Sequence, residues 1–270
     1  MKNNQVIYDL NHEPGARILE RDFFRGAVDP DYAAMWHNVA ERCDPCVKRI
    51  RTERKMQELL SNSNMSPRFK KRTFETFKGI NPAVYKADVK AAAEQLKHDQ
   101  GVAYRIVTEY CTNFEKHAAE GEGFALFGDP GTGKTHLLAA KTNYLLSKGI
   151  QSIHVNTVDL FDEIRSTFET DEKGKPLGEK RQSEIIELMK TCPDLSLDDV
   201  GTERPTEWVL EKFYAIINHR YEHMLPTSWN TNCTVEELKQ HLGKIYRRLA
   251  EPAHGRMALV RGISYDTLQS

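Results

Sequence analysis

The stretch GDPGTGKTHLLAA, Gly128 to Ala140, decides how this chain folds. Gly128, Asp129, Pro130, Gly131, Thr132, Gly133, Lys134 and Thr135 fit G-x-x-x-x-G-K-[ST], and His136 follows. Glycines at these positions let successive backbone N–H groups turn inward and form an anion nest at a helix N-terminus. In such a loop the lysine reaches the β- and γ-phosphates and the threonine hydroxyl ligates Mg²⁺. The apolar run FALF (124–127) just before it predicts a strand, and the periodicity after Gly133 predicts a helix. A fortuitous glycine-rich turn would leave Lys134 and Thr135 unexplained. The loop is read as the site of a nucleoside triphosphate.

Outward from this loop, short apolar runs alternate with helical periodicity. SIHVNTV (152–158), DLSLDDVG (194–201), PTSWNTN (226–232) and MALVRG (257–262) predict further strands. Helices are expected over 159–168, up to about Lys190, over 206–223 and across 244–251. This alternation implies an α/β fold with a five-stranded parallel sheet covered by helices on both faces. Ahead of the sheet, Val102, Ile106, Val107, Tyr110 and Phe114 mark one face of a long helix. A turn-rich break, SNSNMSP (61–67), separates residues 1–66, read as a small helical partner-binding module, from residues 67–270, read as the ATPase domain.

Two acids, Asp198 and Asp199, close the third predicted strand. One carboxylate at a strand's C-terminal edge holds Mg²⁺ and its neighbour polarises the attacking water. Helix or turn capping is the plainer use of such acids, and the phosphate loop upstream argues against it. Asp194 and Ser196 share a face of that strand, where a buried parallel strand would be apolar, and the sequence offers no reason for them. Asn232 follows the fourth strand, placed to orient a water if that strand neighbours the acidic one. Strand-end asparagine is more often simply a turn residue.

The 270 residues carry a net charge of −1 and 29% charged residues, the balance of an ordinary soluble protein. No apolar run reaches the ~18–20 residues that span a bilayer, so a cytoplasmic location without membrane contact is expected. Positive charge gathers between Arg42 and Arg72, where ten Lys or Arg face three acids. A solvated helix face explains such a run as readily as an acidic partner does. Five cysteines, three of them isolated, exclude a secreted disulfide scaffold. Cys43-Asp-Pro-Cys46 has the spacing of half a zinc knuckle and lacks a second pair.

GDPGTGKTHLLAA, DDVGTERPTEW, IINHRYEHMLPTSWNTN, VEELKQHLGKIYRRL and ISYD occur here in the order seen in the DnaC/DnaI/IstB clade of AAA+ ATPases. The chain resembles that clade, the bacterial and phage replicative helicase loaders and related transposition helpers, from about Phe69 onward. The resemblance implies catalytic roles for Lys134, Asp198, Asp199 and a sensor Asn232. It implies that Arg248 is an arginine finger reaching a neighbouring copy, hence self-association. It also implies a truncated lid: fewer than forty residues follow Asn232, and Ser264-Tyr265-Asp266 stands where many members have S-Y-R. A small-molecule kinase would need a substrate lid that is not evident. The segment between Asp159 and Lys190 resembles an insertion lining a DNA pore, and the segment after the acidic strand borders the same pore in the family; together they nominate Phe168, Lys180, Arg181, Thr206 and Trp208 for contact with single-stranded DNA. The expected function is ATP-dependent loading of the replicative helicase onto single-stranded DNA. The alternative is an IstB-like helper that binds DNA and a transposase. ATP and Mg²⁺ are the expected cofactors, with zinc at Cys43 and Cys46 in addition.

Overall fold

The computed structural model describes residues 66–85, 87–166, 179–202 and 206–262. Residues 1–65 with the Cys43/Cys46 pair, Phe168 and Ser264-Tyr265-Asp266 lie outside them. Five parallel strands form one sheet in the order β2-β3-β4-β1-β5. They are β1 (Ala125–Gly128), β2 (Ser152–Asn156), β3 (Asp194–Asp198), β4 (Thr227–Thr231) and β5 (Met257–Val260). Each predicted strand exists, and each ends one to three residues before the expected boundary or shifts by one. The apolar runs continue into strand-end loops that pack on the sheet without extending its ladder, as Val200 does.

Side-chain alternation sorts β1 between two cores. Phe124 and Leu126 point toward α2 (Ala87–Thr112) and α4 (Lys134–Ser147), joining Val107, Tyr110 and Leu138. Ala125 and Phe127 point to the other face, where α5 (Thr157–Ser166), α6 (Glu179–Thr191), α7 (Glu207–Glu222), α8 (Val235–Leu242) and α9 (Lys244–Ala250) pack. Trp229 on β4 anchors that second core. Its ring meets Phe127 edge-on at 5.0 Å and its Nε1 donates to the Leu249 carbonyl at 3.1 Å. Of the residues expected on the α2 face, Val107 and Tyr110 are buried and Val102 and Ile106 pack at its margin. Phe114 is buried too, but it opens a separate helix, α3 (Phe114–Ala119), after a break at Asn113.

The polar face of β3 has a structural explanation. Lys141, on α4, reaches both oxygens of Asp194 at 2.8 and 2.7 Å, and the two side chains are wholly buried. Ser152 on β2 donates a further hydrogen bond to Asp194. Beside it, Thr142 and Ser196 hydrogen-bond at 2.9 Å. A buried ion pair satisfied in this way is close to neutral for stability, yet loss of one partner costs about 3–5 kcal/mol. The pair therefore fixes where α4 sits across β2 and β3, and with it where the phosphate loop points.

Before β1, the segment from α1 (Pro67–Lys70) to Ile80 is tied to α4. Asn143 Nδ2 donates to the carbonyls of Phe69 at 3.0 Å and Arg72 at 2.7 Å. Among the described residues no helix is long and apolar enough to cross a membrane, and none follows β5.

Candidate nucleotide site

The loop between β1 and α4 is built around backbone that a side chain would obstruct. Gly128 has φ 132°, and a Cβ there would meet the Val260 carbonyl oxygen at 2.0 Å. Gly133, at φ 98°, occupies the N-cap position of α4, where a Cβ would press on the Phe77 ring. Glycine alone is at ease in such conformations. Asp129 secures the loop to the end of β5 by accepting from the Gly262 N–H at 2.9 Å, and Thr132 Oγ1 donates to the Asp129 carbonyl at 2.8 Å.

Loop, strand ends and lead-in segment enclose a cavity of about 620 Å³. Pro130, Gly131, Thr132, Gly133, Lys134, Thr135 and His136 line it, as do Asp198, Asp199 and Asn232. Lys134 is buried, and its Nζ donates to the carbonyls of Gly128 at 2.8 Å and Asp129 at 2.6 Å. Burial lowers its pKa to about 8, although Asp199, Asp129 and Asp198 pull the other way. His136 faces the lead-in segment, with its Nε2 2.9 Å from the Thr73 carbonyl and its ring edge-on to Phe77. It holds that wall of the cavity in place.

The two acids differ in environment. Asp198 Oδ1 accepts from the Thr135 hydroxyl at 2.9 Å and from Asn230 Nδ2. His154 Nε2 lies 3.8 Å from its other oxygen, an electrostatic contact beyond hydrogen-bond reach. Burial opposes ionisation of Asp198, but His154, Asn230 and Thr135 outweigh it and hold its pKa low. Asp199 goes the opposite way: burial, and then Asp198 beside it, raise its pKa against Lys134, Asn156 and Asn232. Asn232 Nδ2 donates to one of its oxygens at 2.9 Å and Asn156 Nδ2 to the other at 3.3 Å. Asp199 also has φ 57°, a left-handed conformation that Asp and Asn tolerate better than most residues. A carboxylate kept ionised beside a hydroxyl, and a second whose proton affinity is raised, form the pair that phosphoryl chemistry needs. Thr135 and Asp198 offer hard oxygen donors of the type Mg²⁺ takes.

Sequence reasoning missed Asn230 and Asn156. Asn230 is fully buried; its Oδ1 accepts the Asp199 N–H at 2.8 Å while its Nδ2 holds Asp198. Strand order was the absent signal. Ser196 pairs with Ser228, so the same register two residues on sets Asn230 beside Asp198.

The remaining candidates do not meet in this cavity. Arg248 lies on α9, where its Nε donates to Asn218 Oδ1 at 2.6 Å and its guanidinium sits over Tyr214 at 5.0 Å. Thr206 caps α7 by accepting from the Val209 N–H at 3.4 Å. Trp208 is half-buried against the second core, with Lys212 Nζ 5.7 Å from its ring. Lys180 and Arg181 belong to the first turn of α6, and their side chains are outside the described atoms. No group of three or more metal-binding side chains occurs among the described residues.

A family model described as IstB-like ATP binding protein matches residues 48–251. The uncharacterized protein YqaM of Bacillus subtilis is 26% identical over 252 residues, 92% of this chain and 73% of YqaM. The replicative helicase loader DnaI of Bacillus subtilis is 31% identical over 139 residues, 51% of this chain and 42% of DnaI. The crystal structure of the DnaC helicase loader shares the fold with a TM-score of 0.55 at 24% identity, over 73% of this chain and 100% of that one.

Proposed function

The chain belongs to the IstB-like ATP-binding protein family, and from that premise we propose that it hydrolyses ATP to load a replicative DNA helicase onto single-stranded DNA. The observation that carries hydrolysis is the placement of Asp198 and Asp199 beside the phosphate loop, with Asp198 bonded to Thr135 of the loop and the pair cross-braced by Asn230 and Asn232. Loop N–H groups and Lys134 bind the phosphates. Thr135 and Asp198 would hold Mg²⁺, which would supply charge neutralisation of the phosphate oxygens. Asp199 takes the proton of the attacking water, and Asn232 and Asn156 fix the orientation of its carboxylate. Similarity to DnaI supports the choice of loading as the use of this cycle. ATP then holds one assembly and ADP releases it. Residues 1–66 are assigned to partner docking, and a cytoplasmic location follows from the role.

The decisive experiment mixes the full chain with the replicative helicase of its host, ATP or ADP, and circular single-stranded DNA. Recovery of helicase on the circles with ATP and release with ADP is the expected result. Failure to bind helicase, together with ATP-dependent binding of duplex DNA and a transposase, would establish the transposition-helper reading, which the IstB-like family description favours.

The residues nominated for DNA separate by their packing. Trp208 leans on the second core, so Trp208→Ala is expected to cost about 2–3 kcal/mol of stability. A melt compared with oligonucleotide anisotropy at fixed salt checks this. Unchanged melting with lost single-strand affinity would return Trp208 to the DNA site.

A further inference from the structure

Arg72 belongs to the basic run noted in the sequence, and its place in the fold gives it an individual role. The segment carrying it forms one wall of the nucleotide cavity, which the phosphate loop, Asp198 and Asp199 also line. That wall is anchored at the backbone: the Arg72 carbonyl accepts from Asn143 on α4 at 2.7 Å, and the next carbonyl, of Thr73, lies 2.9 Å from His136 Nε2. α4 begins at Lys134, so Arg72 is fixed relative to the loop itself.

The Arg72 side chain is half-buried, with its guanidinium 4.8 Å above the Phe69 ring. Phe69 in turn rests edge-on against His154. Among the described residues the guanidinium has no hydrogen-bond acceptor and no ion pair. Burial and the neighbouring Arg68 both weigh against its charge, and Asp198 only partly offsets them. Asp198 is not its bonded partner, since Oδ1 is held by Thr135 and Asn230. A partly desolvated fork of five donors, facing a cavity lined by N–H groups and Lys134, is arranged for an anion.

We propose that Arg72 contacts the terminal phosphate of a nucleoside triphosphate held by the loop, acting within its own chain. The proposal rests on the reading of the cavity as the ATP site. Such a contact would make Arg72 the residue that distinguishes ATP from ADP, because only the triphosphate carries that terminal group. The competing explanation is that stacking on Phe69 is the whole purpose of the side chain, which then serves the wall and not the ligand.

Titrating ATP and ADP, each with Mg²⁺, into the full chain separates these. Arg72→Ala is expected to weaken ATP binding by on the order of ten- to a hundred-fold, the worth of a charge-assisted contact. ADP binding and the melting temperature of the nucleotide-free protein stay at parental values. Arg72→Lys recovers part of the ATP affinity, since it restores the charge without the planar fork. A parental ratio of ATP to ADP affinity in Arg72→Ala overturns the proposal. So does an equal loss for both nucleotides together with a lowered melting temperature, which would mark a wall residue. Lys134→Ala is the control for the underlying reading. Retained binding of both nucleotides in that variant would discard the cavity as the ATP site, whatever Arg72→Ala shows.

Discussion

Lys134→Ala abolishes tight ATP binding, whereas Asp199→Asn binds ATP as the parent does and stops turning it over. The contrast follows from where the two groups sit. Lys134 is buried in the loop and donates to the Gly128 and Asp129 carbonyls; the phosphate contacts proposed for it would be made in the ground state, so affinity would depend on it. Asp199 stands past the end of β3, fixed by Asn156 and Asn232, and its proton affinity is raised by burial and by Asp198. Its proposed work is on the water, which affects the rate and not the binding. Asparagine suits this position as a probe because it matches aspartate in size and tolerates the left-handed backbone at φ 57°. One of the two asparagine donors loses its acceptor in the variant, a small cost beside the loss of the base. Removal of a general base costs on the order of 10²- to 10⁴-fold in rate. Nucleotide titration and phosphate release, run beside thermal melts, measure both halves. Equal loss of binding in the two variants would overturn this division of labour.

Much of this site could be read from the sequence because its information is local. A phosphate loop is eight consecutive residues, and its strand and helix flank it directly. The acid pair declares itself at the end of an apolar run. Asn230 was beyond reach for a different reason. Its task depends on β4 lying between β3 and β1, a fact of strand order that no single segment encodes. Both asparagines, Asn230 and Asn232, meet the acids. The buried one braces Asp198 and the Asp199 backbone, and the exposed one reaches the Asp199 carboxylate. Asp194 and Ser196 show the same limit. They contradict the apolar pattern of a buried strand, and only the position of Lys141 and Thr142 on α4, some fifty residues earlier, resolves the contradiction. His136, next to the loop, lines the cavity and also meets the Thr73 carbonyl.

Arg248→Ala and Lys134→Ala proteins, each inactive alone, regain part of the hydrolysis when mixed. The reason is spatial. Arg248 is absent from the lining of its own chain's cavity and is held on α9 by Asn218 and by the rings of Tyr214 and Tyr221. A guanidinium braced on three sides is a preorganised group, and bracing of this kind suits a charge offered to a second molecule. If Arg248 completes the cavity of an adjoining copy, the Lys134→Ala subunit still offers an intact finger. The Arg248→Ala subunit still offers an intact loop. Their shared interface then contains one complete site. A finger of this type is worth roughly 10³-fold or more in rate, so even a minority of complete sites stands well above the parents. Restoration should rise with total protein concentration, because it requires association. The Arg248→Ala protein must also melt and bind nucleotide as the parent does, which separates loss of the finger from loss of the α7–α9 contact. Mixtures that stay as inactive as either parent over the whole concentration range would place Arg248 outside catalysis and leave its stacking on Tyr214 as its function.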